Sequence, residues 1–186
     1  MTIGEDAEFT MLVERQWRFV FRVAYAVLLN SHDAEDAVQE TFLKLYQNRG
    51  WQKAENERAF LARVGWRVAA DRRTTRARTF GPTTYESSAE VDNLQSPHSG
   101  PEEAAILAHD QKLVHSMIDA LPEELRVPLV LSSSDELNSR EIGRILGISE
   151  GTVRTRLQRA RQLLRQKIAG HGSPQHNRNK LGAKYV

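Results

Sequence analysis

The chain has no cysteine in its 186 residues, which excludes a disulfide framework, a thiolate metal site and a cysteine nucleophile. Aromatic residues are sparse at 7%. No apolar run approaches the roughly 20 residues that a membrane-spanning helix needs. The opening MTIGEDAEFT is acidic where a secretory leader would be basic and then apolar, so a soluble, cytoplasmic protein without membrane insertion is expected. Phosphate-binding GxxxxGKS or GxxxxGKT, GxSxG and HExxH motifs are missing too, and the histidines are scattered from His32 to His176. No enzymatic activity, cofactor or metal is therefore expected. Asp33, Asp36 and Glu40, the one acidic group that invites a metal reading, lack a histidine pair and read as a solvated helix face.

What is present is charge sorted into blocks, behind a net of only +2. Residues 1–57 carry ten acids against six bases, whereas residues 58–78 carry seven arginines against Asp71 alone. Residues 79–103 hold five acids and no base, and residues 139–167 hold eight bases against Glu141 and Glu150.

Hydrophobic periodicity divides the chain at the same places. Trp17, Phe21, Ala24, Tyr25 and Leu28 recur at helical spacing, as do Ala34, Ala37, Val38, Thr41, Phe42 and Leu45, then Phe60, Leu61, Val64 and Val68. Three amphipathic helices sharing one core are expected over residues 1–78. Residues 79–103, rich in Ser, Thr, Pro, Gly and acid, read as a flexible linker. A second helical region covers residues 104–169, with a break at Pro122, and residues 170–186 read as a disordered tail. Strand alternation and internal repeats are both missing, so the fold class is all-α: two small helical domains joined by a flexible linker.

The stretch SREIGRILGISEGTVRTRLQRARQLL, residues 139–164, has the form of a helix-turn-helix. Ser139 suits the cap of the first helix, Gly147 a left-handed turn, and Ser149 the cap of the second. Along that second helix Val153, Leu157, Ala160 and Leu164 form an apolar stripe. Thr155, Gln158, Arg159 and Gln162 face the other way, flanked by Thr152, Arg154 and Arg156. Arginine and glutamine suit guanine and adenine edges in a major groove, while flanking arginines suit phosphates. A basic surface helix in a bundle is the alternative.

Two faces in the first region carry further chemistry. Asp36, Gln39, Glu40 and Leu43 lie away from the apolar stripe of their helix and present an acidic and amide face to a basic partner. In the next helix Trp66 falls nearly opposite the inward residues, among Arg63, Arg73 and Arg76, and suits a platform for unstacked bases; packing on a neighbouring helix is the alternative. Asp71, near the inward edge, is expected to pair with an arginine.

With these residues in place the chain resembles a bacterial RNA polymerase sigma factor of the extracytoplasmic-function (ECF) group. DAEDAVQETFLKLY resembles the family's core-polymerase-binding helix, FLARVGWRVAADRRTTR its minus-ten-element helix, and LPEELRVPLVL with the helix-turn-helix its region 4. The resemblance implies that Asp36, Gln39, Glu40 and Leu43 meet the β′ clamp helices of core RNA polymerase, region 4 also meeting the β flap. It implies that Arg63, Trp66, Arg67, Arg73 and Arg76 meet minus-ten DNA, and that residues 47–56 form the loop that captures an unstacked base. Thr152, Arg154, Thr155, Arg156, Gln158 and Arg159 would meet the minus-thirty-five element. Phe60 and Arg67 depart from the family's usual tryptophan and asparagine. The resemblance also implies an anti-sigma factor covering the Asp36/Gln39/Glu40 face and a chain that is monomeric when free. A conventional helix-turn-helix regulator with a helical sensor domain is the alternative function.

Overall fold

The computed structural model describes residues 3–80, 112–134 and 137–171, and all regular structure among them is helical. Helices α1 (Ile3–Leu28), α2 (Ser31–Asn48) and α3 (Glu57–Phe80) form the N-terminal half, with a 3-10 turn at Gly50–Lys53. The C-terminal half contains the helical residues 112–119 (α4), then α5 (Glu123–Ser132), α6 (Ser139–Leu146) and α7 (Glu150–His171). Thus α3 runs two residues past the expected boundary at 78 and α7 two past 169. Most of the expected linker and tail lies outside the described residues.

Local chemistry sets the breaks between helices. Leu29 and Arg49 end α1 and α2 in left-handed conformations, with φ of 52° and 50°. The side chain of Asn30 accepts the Asp33 N–H at 2.9 Å and so starts α2. Small residues let the helices approach. Ala34 and Ala37 of α2 are completely buried with Val20, Val23 and Ala24 of α1 and Leu61 and Ala69 of α3. A methyl group on Gly65 would lie 3.1 Å from a Val20 methyl, so α3 meets α1 where a side chain is missing. The hydroxyl of Thr41, buried in this core, donates back to the Ala37 carbonyl at 2.7 Å.

In the C-terminal half Asn138, not Ser139, caps α6. Its side chain accepts from Arg140 and Glu141 N–H groups, and Glu141 accepts from its backbone N–H, completing a capping box. Ser139 is the first helical residue instead, because the reciprocal bond with Glu141 is available only one position earlier. Gly147 is left-handed, with φ 69°, and the Ser149 hydroxyl accepts the Thr152 N–H at 3.1 Å, both as expected.

The two halves touch. A single buried cluster runs from Val23 and Leu61 through Val127, Leu131 and Ile142 to Val153, while Leu121, Leu125 and Ala160 form a smaller one within the C-terminal half.

Candidate polymerase and nucleic-acid interfaces

On α2 the outward face holds Asp36, Gln39, Glu40 and Leu43, with Gln39 and Leu43 exposed. The two acids are not free carboxylates. Arg72 of α3 reaches across, its Nε 2.8 Å from Glu40 and its Nη1 3.5 Å from Asp36, and Lys44 lies 2.8 Å from the other Glu40 oxygen. Burial pushes the Glu40 carboxyl up, but hydrogen bonds and charge from Lys44 and Arg72 outweigh it and hold the group below the usual carboxylate range. Arg76, one turn further along α3, pairs with Asp33. The face offered to a partner is therefore an amide and a leucine between acids already shared with arginine, rather than open acid.

The arginine-rich helix α3 divides into two sides. Arg63 and Arg67 are exposed and form no ion pair among the described residues. Arg73 and Arg76 are half-buried in ion pairs, Arg73 with Glu123 of α5. Trp66 is also half-buried and packs against the shared core beside Pro122, Val127 and Pro128, so in this arrangement it takes the packing alternative. Asp71 is exposed and pairs with no arginine among the described residues, contrary to expectation. It sits just off the inward stripe, and Arg72 beside it turns toward the acids of α2 instead.

The loop between α2 and α3 is shaped by its own residues. Phe60 lies beneath Gly50, whose added Cβ would be 3.0 Å from the ring, which gives Phe60 a packing role. Asn56 caps α3, its side-chain oxygen accepting the Ala59 N–H at 2.9 Å, and its amide donates to Glu141 of α6 at 2.8 Å.

Helix α7 follows the expected pattern of burial. Val153, Leu157 and Ala160 are buried, whereas Arg154, Thr155, Gln158 and Arg159 are exposed and Thr152 and Arg156 are half-buried. Gly143 makes the angle between α6 and α7 possible, since a Cβ there would lie 2.7 Å from the Ile148 carbonyl oxygen. Among the described residues no helix is long and apolar enough to cross a membrane, and no group of three or more His, Asp and Glu could hold a metal ion.

Arg72 and Arg126 escaped the sequence reading. Arg72 lies four residues beyond the inward Val68, a position where an arginine must find acids at the edge of a core. Arg126 sits inside an apolar stripe, where nothing local announces its partners.

Residues 12–79 match the family model for Sigma-70 region 2, and residues 111–164 match that for Sigma-70 region 4. Together these cover most of the chain, which belongs to the sigma-70 family of transcription initiation factors. Its similarity is to the ECF group: it is 30% identical over 173 residues to the ECF RNA polymerase sigma factor SigW of Bacillus subtilis, with 89% of this chain and 91% of SigW covered. It is 34% identical over 169 residues to ECF sigma factor SigE of Mycolicibacterium smegmatis, covering 87% of this chain and 62% of that protein's length. The fold is similar to that of the sigma factor RpoE of Bartonella quintana, solved with the anti-sigma factor NepR, with a TM-score of 0.69, 17% identity, and 87% and 97% of the two chains covered. CnrH, solved with the cytosolic domain of CnrY, gives a TM-score of 0.56 at 23% identity, covering 90% and 91%.

Proposed function

We propose that the chain docks on core RNA polymerase through the Gln39/Leu43 face of α2 and directs it to promoters of signal-responsive genes without chemistry of its own. The β′ clamp helices meet Asp36, Gln39, Glu40 and Leu43, and the C-terminal half meets the β flap. Minus-ten DNA is held by Arg63, Trp66, Arg67, Arg73 and Arg76, with an unstacked base taken by the loop of residues 47–56. The exposed front of α7, from Thr152 to Arg159, enters the major groove of the minus-thirty-five element. Tethering raises the effective concentration of each half at its own element, so the spacing of the two elements becomes part of specificity.

The observation that carries this reading is the order of three surfaces on one chain: the α2 face, the arginine-rich α3 and the outward α7. Matches to sigma regions 2 and 4 in that order support it. RpoE of Bartonella quintana was solved with the anti-sigma factor NepR, which supports a protein inhibitor for this chain also, covering the α2 face. The protein works in the cytoplasm and is monomeric when free.

The test is binding of the full chain to core RNA polymerase, compared with the Asp36→Ala/Gln39→Ala/Glu40→Ala triple variant. Tight binding that the triple variant loses, together with polymerase-dependent transcription from a promoter library, is expected. Failure of both forms to bind polymerase, with duplex DNA binding retained, would leave an ordinary helix-turn-helix regulator.

A further inference from the structure

The arginine-rich stretch of residues 139–167 contains two acids, and both are engaged. Glu141 closes the capping box of α6 and accepts from Asn56. Glu150 is the first residue of α7. Its Oε1 lies 2.5 Å from Nη2 of Arg154, one turn along, and its Oε2 lies 3.6 Å from Nε of Arg140 in the first turn of α6. One carboxylate therefore holds an arginine from each arm of the helix-turn-helix. The Arg154 and Arg140 side chains are 71% and 72% exposed and that of Glu150 only 33%, so the acid is the anchored member. Its backbone is fixed as well, because Gly143 lets α6 approach until a Cβ there would be 3.5 Å from the Glu150 nitrogen. Arg159, further along the outward side of α7, forms no ion pair among the described residues.

We infer that Glu150 is a positioning residue for DNA reading: its carboxylate holds Arg154 in one orientation toward a base edge and so sets the sequence preference at the base pair that Arg154 meets. This rests on the reading of α7 as the helix that enters the major groove. By charge alone, an acid on that side repels phosphate and weakens binding to any duplex. What it contributes is orientation. The guanidinium is a rigid, planar fork, so fixing Nη2 on Glu150 fixes where the remaining donors point. A side chain already held in one geometry also loses less freedom on meeting a base. The carboxylate draws Arg154 back toward the first turn of α7, the part of a recognition helix that meets base edges, and away from the phosphates on either side. Glu150 thus lowers general affinity for DNA and raises discrimination between sequences.

The experiment measures binding of the full chain to a duplex that the wild type selects from a random library, to versions of it with each base pair replaced in turn, and to a scrambled duplex. The proteins are the wild type, Glu150→Gln, Glu150→Asp, Arg154→Ala and Arg159→Ala. Arg154→Ala locates the base pair that Arg154 reads, by erasing the preference there. At that pair Glu150→Gln should lower discrimination about two- to fivefold, the range of an exposed ion pair. The same variant should bind the scrambled duplex more tightly and steepen the slope of log affinity against log salt by about one phosphate's worth. Glu150→Asp keeps the charge at the start of α7 but withdraws the carboxylate by one methylene, so it should lose the same discrimination with scrambled-duplex binding and salt slope unchanged. The preference that Arg159→Ala erases should survive both Glu150 variants, and neither should have a further effect at Arg154's base pair once Arg154 is alanine. Full discrimination in both Glu150 variants, with Arg154→Ala still erasing one preference, would overturn the positioning role and leave α7 as the reading helix. Every preference surviving in both Arg154→Ala and Arg159→Ala would instead overturn the reading of α7, and the positioning role with it.

Discussion

Replacing Arg126 by methionine tests whether one guanidinium fastens the ends of two helices. Its Nε donates to the Ala26 carbonyl at 2.8 Å, and its Nη1 to those of Asp119 and Leu121 at 2.9 and 2.6 Å. Ala26 lies in the last turn of α1 and Asp119 ends α4, so these carbonyls include ones that a helix leaves without an internal partner. A cation there also opposes the negative ends of both helices. Burial pushes the Arg126 guanidinium below its usual range, which shows that holding the charge has a cost. Methionine removes that cost and keeps the apolar stem, but strands the Ala26 and Leu121 carbonyls at about 1–3 kcal/mol each. Relief of the buried charge offsets part of this, leaving a net loss of about 2–4 kcal/mol. At about 2–4 °C per kcal/mol for a chain of this size, Tm should fall by about 5–15 °C. Circular dichroism follows all helices, whereas the three tryptophans all lie in the N-terminal half, Trp17 and Trp51 away from the cleft with α5 and Trp66 at it. The two signals should coincide in the wild type and separate in Arg126→Met as the halves lose their shared fastening. Coincident transitions with a loss under about 1 kcal/mol would refute the capping role and show the carbonyls to be satisfied by water.

Other substitutions probe single features. Gly143→Ala should cost about 1–3 kcal/mol despite alanine's better helix propensity, because its methyl would press on the Ile148 carbonyl, and duplex binding should fall with it in a urea melt and a DNA titration. Gly147→Ala meets nothing within 4 Å but must hold φ 69°, so its cost should be about 1 kcal/mol, and a larger loss than at Gly143 would reverse this assignment. Glu40 has its folded pKa below the unfolded value of about 4.3, so its stabilisation is complete above that value and is lost as pH falls through the lowered one. Glu40→Gln should accordingly flatten the acid limb of the stability curve, and an unchanged limb would remove Arg72 and Lys44 as its cause. Arg159→Ala should reduce the salt dependence of duplex binding by about one phosphate's worth, read from the slope of log affinity against log salt.

The all-α class, the helix-turn-helix and the arginine-rich helix were legible in the sequence because each rests on local spacing. Val153, Leu157 and Ala160 recur at the helical period and are buried, and Gly147 takes the left-handed conformation that only its missing Cβ makes easy. The α6 cap shifted from Ser139 to Asn138 because two adjacent residues could each cap, and the reciprocal bond to Glu141 decided between them.

Charge partners were not legible, since they depend on which helices meet. An outward acidic face on α2 is visible in its pattern, but its sharing with Arg72, 32 residues from Glu40 along the chain, follows from how α2 crosses α3. The same holds for Trp66, whose wheel position suits either a base or a neighbouring helix until α5 arrives beside it. Periodicity is a property of a few successive residues and survives in the sequence. The pairing of Arg126 with Ala26, 100 residues apart, exists only once the two halves have packed and water has been excluded between them.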